Sequence, residues 1–261
     1  MKSIKNMLSK TKYILANLDK KSAKELSLEL GLKERKIKKI IERLRSNKKC
    51  LAEPLPQDPV PVKMRTVFLS ALLIIVLGFA VYANSVNGQF IWDDYHLVKE
   101  NAYIAKWSRP NLENIFTKGI REGAGRKGNT YRPMQMITYM IDHSLYGLKV
   151  QGYHLTNIII HVLVALSIFW LINILFRDNL ISLFTAALFV VHPVHTEAVA
   201  YISGRADPMA LLFMLISLIF YIKTLGPGGV ISFTLMASSY ICAILSKESS
   251  IILPVMILLE I

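Results

Sequence analysis

Between Thr66 and Ala83 the chain runs for 18 residues without a charge. Wound as an α-helix at roughly 1.5 Å per residue, this run is about 27 Å long, close to the hydrocarbon thickness of a bilayer. A run of this kind has to satisfy its backbone internally in lipid, which a helix does. Further apolar runs follow at about 153–176, 180–200, 208–225 and 229–246, and from Ile251 to the end. The breaks at Arg177-Asp178-Asn179 and Gly226-Pro227-Gly228-Gly229 are too short to hold a soluble domain. The expected fold is therefore all-α, a multi-pass transmembrane bundle of about six helices over residues 66–261, with a long loop at 84–152. The last run, about 11 residues, is shorter than the roughly 20 a span needs. It reads as an incomplete helix and the chain as the N-terminal part of a longer protein, inactive by itself.

Charge divides the chain in two. Up to Arg65 there are 18 Lys/Arg against 7 Asp/Glu, a net of +11 out of +13, although 53% of all residues are hydrophobic. A basic tail on an apolar body excludes a disulfide scaffold, a disordered polyelectrolyte and a uniformly water-soluble enzyme. The two cysteines, Cys50 and Cys242, have no CxxC neighbour and specify no redox compartment. The first span lies too far from Met1 for a cleaved signal peptide and follows Lys63 and Arg65, which predicts an uncleaved anchor with a cytoplasmic N-terminus. Residues 84–152, 201–207 and 247–250 are then extracytoplasmic. The loop 84–152 carries nine Lys/Arg, but loops of more than about 60 residues translocate largely regardless of charge.

Within the tail, residues 1–52 are expected to form a small cytoplasmic helical domain and residues 53–65 a proline-rich linker. Leu26, Leu30, Leu32, Ile37, Ile40, Ile41 and Leu44 recur at helical spacing around Gly31, a pattern similar to a helix-turn-helix with Lys33 to Arg45 as its second helix. Its Lys/Arg face suits anionic lipid. DNA binding is the competing reading, but no side chain can be assigned to a base edge, and nucleic acid is not the expected partner.

Polar residues at the ends of apolar helices are costly and mark functional sites. Asp93 and Asp94 follow Phe90-Ile91-Trp92 just beyond the first span. As neighbours they cannot share a face, so one is expected to point into a site, where a carboxylate could act as general base; a helix cap is the alternative. Arg132, in Tyr131-Arg132-Pro133, precedes a stretch ending at Tyr146 that is too short and polar to span, interrupted by Asp142 and His143, and expected to lie along the interface. Its paired donors suit a lipid phosphate. His154, Asn157 and His161 share one face of the second span, where interhelical hydrogen bonding is the plain reading. His192, His195 and Glu197 close the third apolar run. Their side chains could ligate a divalent metal, but Pro193 prevents a regular helix from fixing their spacing. Arg205 and Asp207 open the fourth span, and Lys247 and Glu248 close the fifth. These cations and acids converge on one predicted membrane face, a mixture suited to holding an anionic headgroup beside an activated nucleophile.

The set Phe90 to Asn101 (FxWDDxxxxxxN), Tyr131-Arg132-Pro133, His154-Leu155-Thr156-Asn157 with His161, the block from His192 to Val199 continuing to Gly204-Arg205-Ala206-Asp207, and Lys247-Glu248 resembles the transmembrane-and-TPR protein O-mannosyltransferases, of the GT-C class. The resemblance covers about residues 66–261. The helix-turn-helix-like tail is not a hallmark of that family, and its later helices and tetratricopeptide repeats are not in this sequence. What the resemblance implies is a membrane glycosyltransferase. It would move a sugar, typically mannose, from a polyprenyl-phosphate carrier to Ser/Thr hydroxyls of an acceptor protein on the extracytoplasmic side, with inversion. Asp93, or Asp94, would then be the base. Arg132, Arg205 and Lys247 would stabilise the leaving phosphate, with His154, His192, His195, Glu197, Asp207 and Glu248 around it. The resemblance assigns no cofactor and leaves a divalent metal open. A non-catalytic membrane sensor and a lipid-sugar transporter are the competing readings.

Overall fold

The computed structural model describes residues 22–32, 34, 35, 37–41, 64–225 and 229–259. The chain divides into two units, Met1–Pro61 and Val62–Ile261.

In the first unit, helix α1 (Ala23–Leu30) is nucleated by a reciprocal capping box. The Ser22 hydroxyl accepts from the Glu25 N–H, and the Glu25 carboxylate accepts from the Ser22 N–H. Gly31 ends the helix at φ 61°, a conformation that glycine adopts without a Cβ penalty. Residues 34, 35 and 37–41 are again helical. Leu26 and Ile37 are fully buried against each other, packed by Ala23, Leu30, Leu32, Ile40 and Ile41. The expected apolar pattern around Gly31 is thus used as a core. Leu44 and the remainder of the expected second helix lie outside the described residues, as does the linker before Met64.

The second unit contains α2 (Met64–Tyr82), α3 (Arg109–Thr117), α4 (Pro133–Tyr146), α5 (Val150–Phe176), α6 (Asn179–Val191), α7 (Thr196–Ala200), α8 (Ala206–Thr224), α9 (Gly229–Ser246) and α10 (Leu253–Leu259). Among the described residues four helical stretches are long and apolar enough to cross a membrane: Met64–Asn87, Val150–Phe176, Ile202–Thr224 and Gly229–Ser246. A fifth results if α6 and the segment Pro193–Ala200, bent by 49°, count as one span. The bend falls where Pro193 removes a backbone donor, so the expected run at 180–200 is a broken helix. The last apolar run forms only the short α10, below spanning length.

Helix α5 is the hub, packing against α2, α4, α6, α7 and α8. On α2 the buried residues Ser70, Ile74, Gly78 and Tyr82 recur every fourth position and so form one stripe. At Gly78 an added Cβ would overlap Val162 of α5 and lie 3.4 Å from Val190 of α6, so the missing side chain is what lets three helices meet. At the opposite end of α2, Asn179 donates to the Ser70 hydroxyl at 2.9 Å. The α5–α6 turn is tight because Arg177 takes a left-handed conformation (φ 53°) and the Asp178 carboxylate caps α6 through the Leu180 and Ile181 N–H groups.

The segment between α2 and α5 is folded over its own core. Leu97, Val98, Ile104, Ile115, Ile120, Met136, Tyr139 and Met140 pack with Tyr153 of α5 and with Ile202. Helix α4 buries Pro133, Gln135, Met136, Tyr139, Met140 and Asp142 and leaves Ile141 and Leu145 exposed, the amphipathic division expected of it.

Candidate functional site

The turn Ile91-Trp92-Asp93-Asp94 is closed twice. The Asp94 N–H donates to the Ile91 carbonyl at 2.9 Å, and the Ile91 N–H donates to the Asp94 carboxylate at 3.0 Å. The other Asp94 oxygen accepts from the Ser203 N–H (2.9 Å) and hydroxyl (2.5 Å). Asp94 is therefore fully buried, fastening the turn to the segment before α8. Burial pushes its carboxyl above the usual carboxylate range, against the opposing effect of the hydrogen bonds from Ser203 and Ile91.

Asp93 sits at the tip of the same turn with 43% of its side chain exposed. Its N–H donates to the Tyr201 hydroxyl at 3.2 Å, and its carboxylate accepts from Arg121 at 2.7 Å. Of the two adjacent aspartates, one is a buried fastener and the other a held, solvent-reachable carboxylate. The difference in burial comes from Ser203, whose N–H and hydroxyl both donate to Asp94.

Arg205 was expected to face a lipid phosphate, but the fold places it elsewhere. It is completely buried, paired with Asp142 at 2.6 Å. It donates to Asn157 Oδ1 (2.6 Å), the Thr138 hydroxyl (3.1 Å) and the Tyr153 carbonyl (3.0 Å), and stacks over the Tyr139 ring at 4.7 Å. Asp142 also accepts from the Thr156 hydroxyl at 2.7 Å. Burial raises the Asp142 carboxyl, with Arg205 pulling the other way. Asn157 spends its amide on the Val199 and Tyr201 carbonyls, and the Tyr139 hydroxyl and Gln135 amide donate to the Ile202 and Ser203 carbonyls. The network fixes α4, α5 and residues 199–205 as one frame beneath the Asp93 turn. Its partners, Asp142, Tyr139, Thr138 and Tyr153, were missed as a group. The signal for them was Asp142 interrupting an apolar stretch.

Beside this frame lies a cavity of about 260 Å³ lined by His161, Phe189, His195, Asp207, Met214 and Ser249, among others. His195 packs on Phe189 with ring centroids 4.2 Å apart, and on His161 at 5.5 Å. Lys247 pairs with Asp207 at its rim. Arg132 donates through Nε and Nη2 to the two oxygens of Glu248, at 3.2 and 2.8 Å. Glu248 is 67% exposed, and the Arg132 hydrogen bonds hold its carboxyl down at about 2.

The remaining expected residues are less engaged. His192 accepts from the Val194 N–H at 3.2 Å and caps the turn after α6, while Glu197 is exposed. His154 is buried beside Gly88, with neither ring nitrogen bonded to protein. Among the described residues no group of three or more His, Cys, Asp or Glu side chains is placed to hold a metal ion.

These features define an all-α membrane protein with a polar, partly exposed site gathered at one end of its helices. Protein O-mannosyl-transferase TMTC1 of Homo sapiens is 33% identical to the chain over 198 residues, covering 70% of the chain and 22% of that protein. Protein O-mannosyl-transferase TMTC3 of Homo sapiens is 34% identical over 185 residues, 69% of the chain and 20% of that protein. Protein O-mannosyl-transferase F38B6.6 of Caenorhabditis elegans is 32% identical over 158 residues, 58% and 23%. The chain belongs with this TMTC-like family, and it spans about a fifth of the length of the curated relatives it matches. No family model matches it, and no solved structure does.

Proposed function

We propose that the chain carries the catalytic end of a membrane O-mannosyltransferase that takes mannose from a polyprenyl-phosphate carrier. In this reading Asp93 accepts the proton of an acceptor Ser/Thr hydroxyl as its oxygen attacks the anomeric carbon. The bond from that carbon to the phosphate oxygen breaks on the opposite side, so configuration inverts and the lipid phosphate leaves. Arg132 and Lys247 neutralise the departing phosphate by exchanging their present carboxylate partners for it, with His195 lining the adjacent cavity. Such fixed donors act where charge develops. Arg205 and Asp94 serve as positioning residues, and the site faces the extracytoplasmic side.

The observation that carries the reading is the division of labour in the Asp93-Asp94 pair. A buried, fully bonded Asp94 fixes a turn whose next residue is an exposed carboxylate beside Arg121. The names of the relatives supply the reaction class, and the chemistry of the residues supplies the roles.

The test is transfer of labelled mannose from polyprenyl-phosphate mannose to an acceptor by full-length protein in membranes. Asp93→Asn is expected to melt like wild type and lose roughly 10²- to 10⁴-fold in rate, the usual contribution of a general base. Asp94→Asn places an amide against the Ile91 or Ser203 N–H donors and is expected to lower melting temperature and rate together. Wild-type transfer by Asp93→Asn would remove the assignment of the base.

A further inference from the structure

At the tip of the Asp94-clamped turn, Trp92 has φ 46° and 79% of its surface exposed. Both facts run against the residue. The left-handed region is costly for a bulky side chain and is ordinarily given to glycine or asparagine in a turn. A tryptophan gains most from burial. The sequence nevertheless puts its largest side chain where the backbone resists it and the solvent surrounds it. Strain held in place by the surrounding structure points toward function when it occurs at a site. Here the restraints are identifiable: the two hydrogen bonds that close the turn and the two from Ser203 to Asp94.

The indole meets the Tyr201 ring nearly at right angles, with centroids 5.9 Å apart and planes at 76°. The Tyr201 hydroxyl accepts the N–H of Asp93, so this aromatic corner is built directly onto the candidate base. The surroundings are mixed: Ile91 and Tyr95 are exposed on either side of the turn, and the Asp93–Arg121 pair is about two-fifths exposed on each side. An indole sunk into hydrocarbon would draw that ion pair to the boundary, whereas one at headgroup level would leave it in water, so the membrane reading is separated by the liposome arm of the test below. A hexopyranose suits the corner better: the axial C–H bonds on one side of the ring make an apolar, slightly positive face, and the aromatic face is negative. Its hydroxyl-bearing edge would meet Asp93 and Arg121.

We propose that Trp92, backed by Tyr201, is the subsite that stacks on the donor's hexose ring and presents its anomeric carbon to the acceptor hydroxyl that Asp93 deprotonates. The inference rests on the transferase reading above and adds the residue that recognises the sugar rather than the phosphate.

Calorimetric titration of the purified full-length protein with citronellyl-phosphoryl mannose and with citronellyl methyl phosphate, a phosphodiester of the same charge, isolates the contribution of the sugar. Wild type is expected to bind the mannosylated lipid roughly three- to tenfold more tightly, the scale of one aromatic contact. Trp92→Gly relieves the backbone while removing the ring. It is expected to melt at or above the wild-type temperature, keep its affinity for citronellyl methyl phosphate, and bind the two lipids equally. Trp92→Phe keeps a ring and is expected to retain most of the difference. A Trp92→Gly protein that still prefers the mannosylated lipid overturns the proposal while leaving the transferase reading intact. Equal losses for both lipids together with weaker liposome association would make Trp92 a membrane anchor and overturn it as well. If wild type binds neither lipid, the transferase reading fails and this inference falls with it.

Discussion

Arg205 is closed off from solvent, and a guanidinium in that position is tolerable only where its charge is matched and its N–H groups are taken up. Asp142 matches the charge, and Asn157, Thr138 and the Tyr153 carbonyl take the donors. Removing one partner leaves the other charged and buried, which costs about 3–5 kcal/mol, whereas replacing both by apolar groups is often neutral. Asp142→Ala is therefore expected to lower the melting temperature in detergent sharply, and adding Arg205→Met to recover part of the loss. Melting of Asp142→Ala at the wild-type temperature would show that the pair does not hold the frame. The same residues show where sequence reading stops. That Arg205 stands among polar residues at a helix start is visible in the sequence; whether it points to a ligand or into the protein depends on Asp142 and Tyr139, distant in sequence and near only after α4 folds onto α5.

Helices α2, α5, α8 and α9 were legible as elements because each has to satisfy its backbone in lipid with about 20 apolar residues, and hydropathy records that requirement directly. Gly229–Ser246 coincides with its expected run, and α2 begins two residues before Thr66. The segment between α2 and α5 was not legible as a folded layer. Its core positions are scattered over separate short elements that share no period: Leu97 and Val98 in one turn of helix, Ile104 in another, Ile115 in α3 and Ile120 in the turn that follows it. Nor does hydropathy show how close two helices come. Gly78 sets that distance for α2: a Cβ there overlaps Val162. Gly78→Val is expected to destabilise by about 1–3 kcal/mol, the usual cost of overpacking. Val162→Ala in the same protein makes room and is expected to restore much of the melting temperature. A Gly78→Val protein as stable as wild type would mean that α2 moves away at little cost.

Across the whole second unit, three contacts decide which ends of the helices lie together. Asp94 bonds Ser203, Arg132 pairs with Glu248, and Lys247 pairs with Asp207. The segments after α2, before α8 and after α9 therefore share one end. Helices α5 and α8 run away from that end, so Arg177 and Leu225, which follow them, belong to the opposite one. The basic residues before Thr66 favour retention of that side in the cytoplasm, which would turn the Asp93 end outward. This makes orientation a parity argument that labelling can check. With Cys50 and Cys242 replaced by serine, single cysteines at Asn129, Val194 and Ser249 are expected to react in intact cells with a membrane-impermeant maleimide. Cysteines at Arg177 and Leu225 should react only after permeabilisation. All five positions are exposed in the folded chain, so burial would not mask the result. Reaction of the two sets from the same side would break the helix count. A clean exchange of the two sets would keep the fold and place the Asp93 site in the cytoplasm, where the donor and acceptor proposed for it would have to be sought instead.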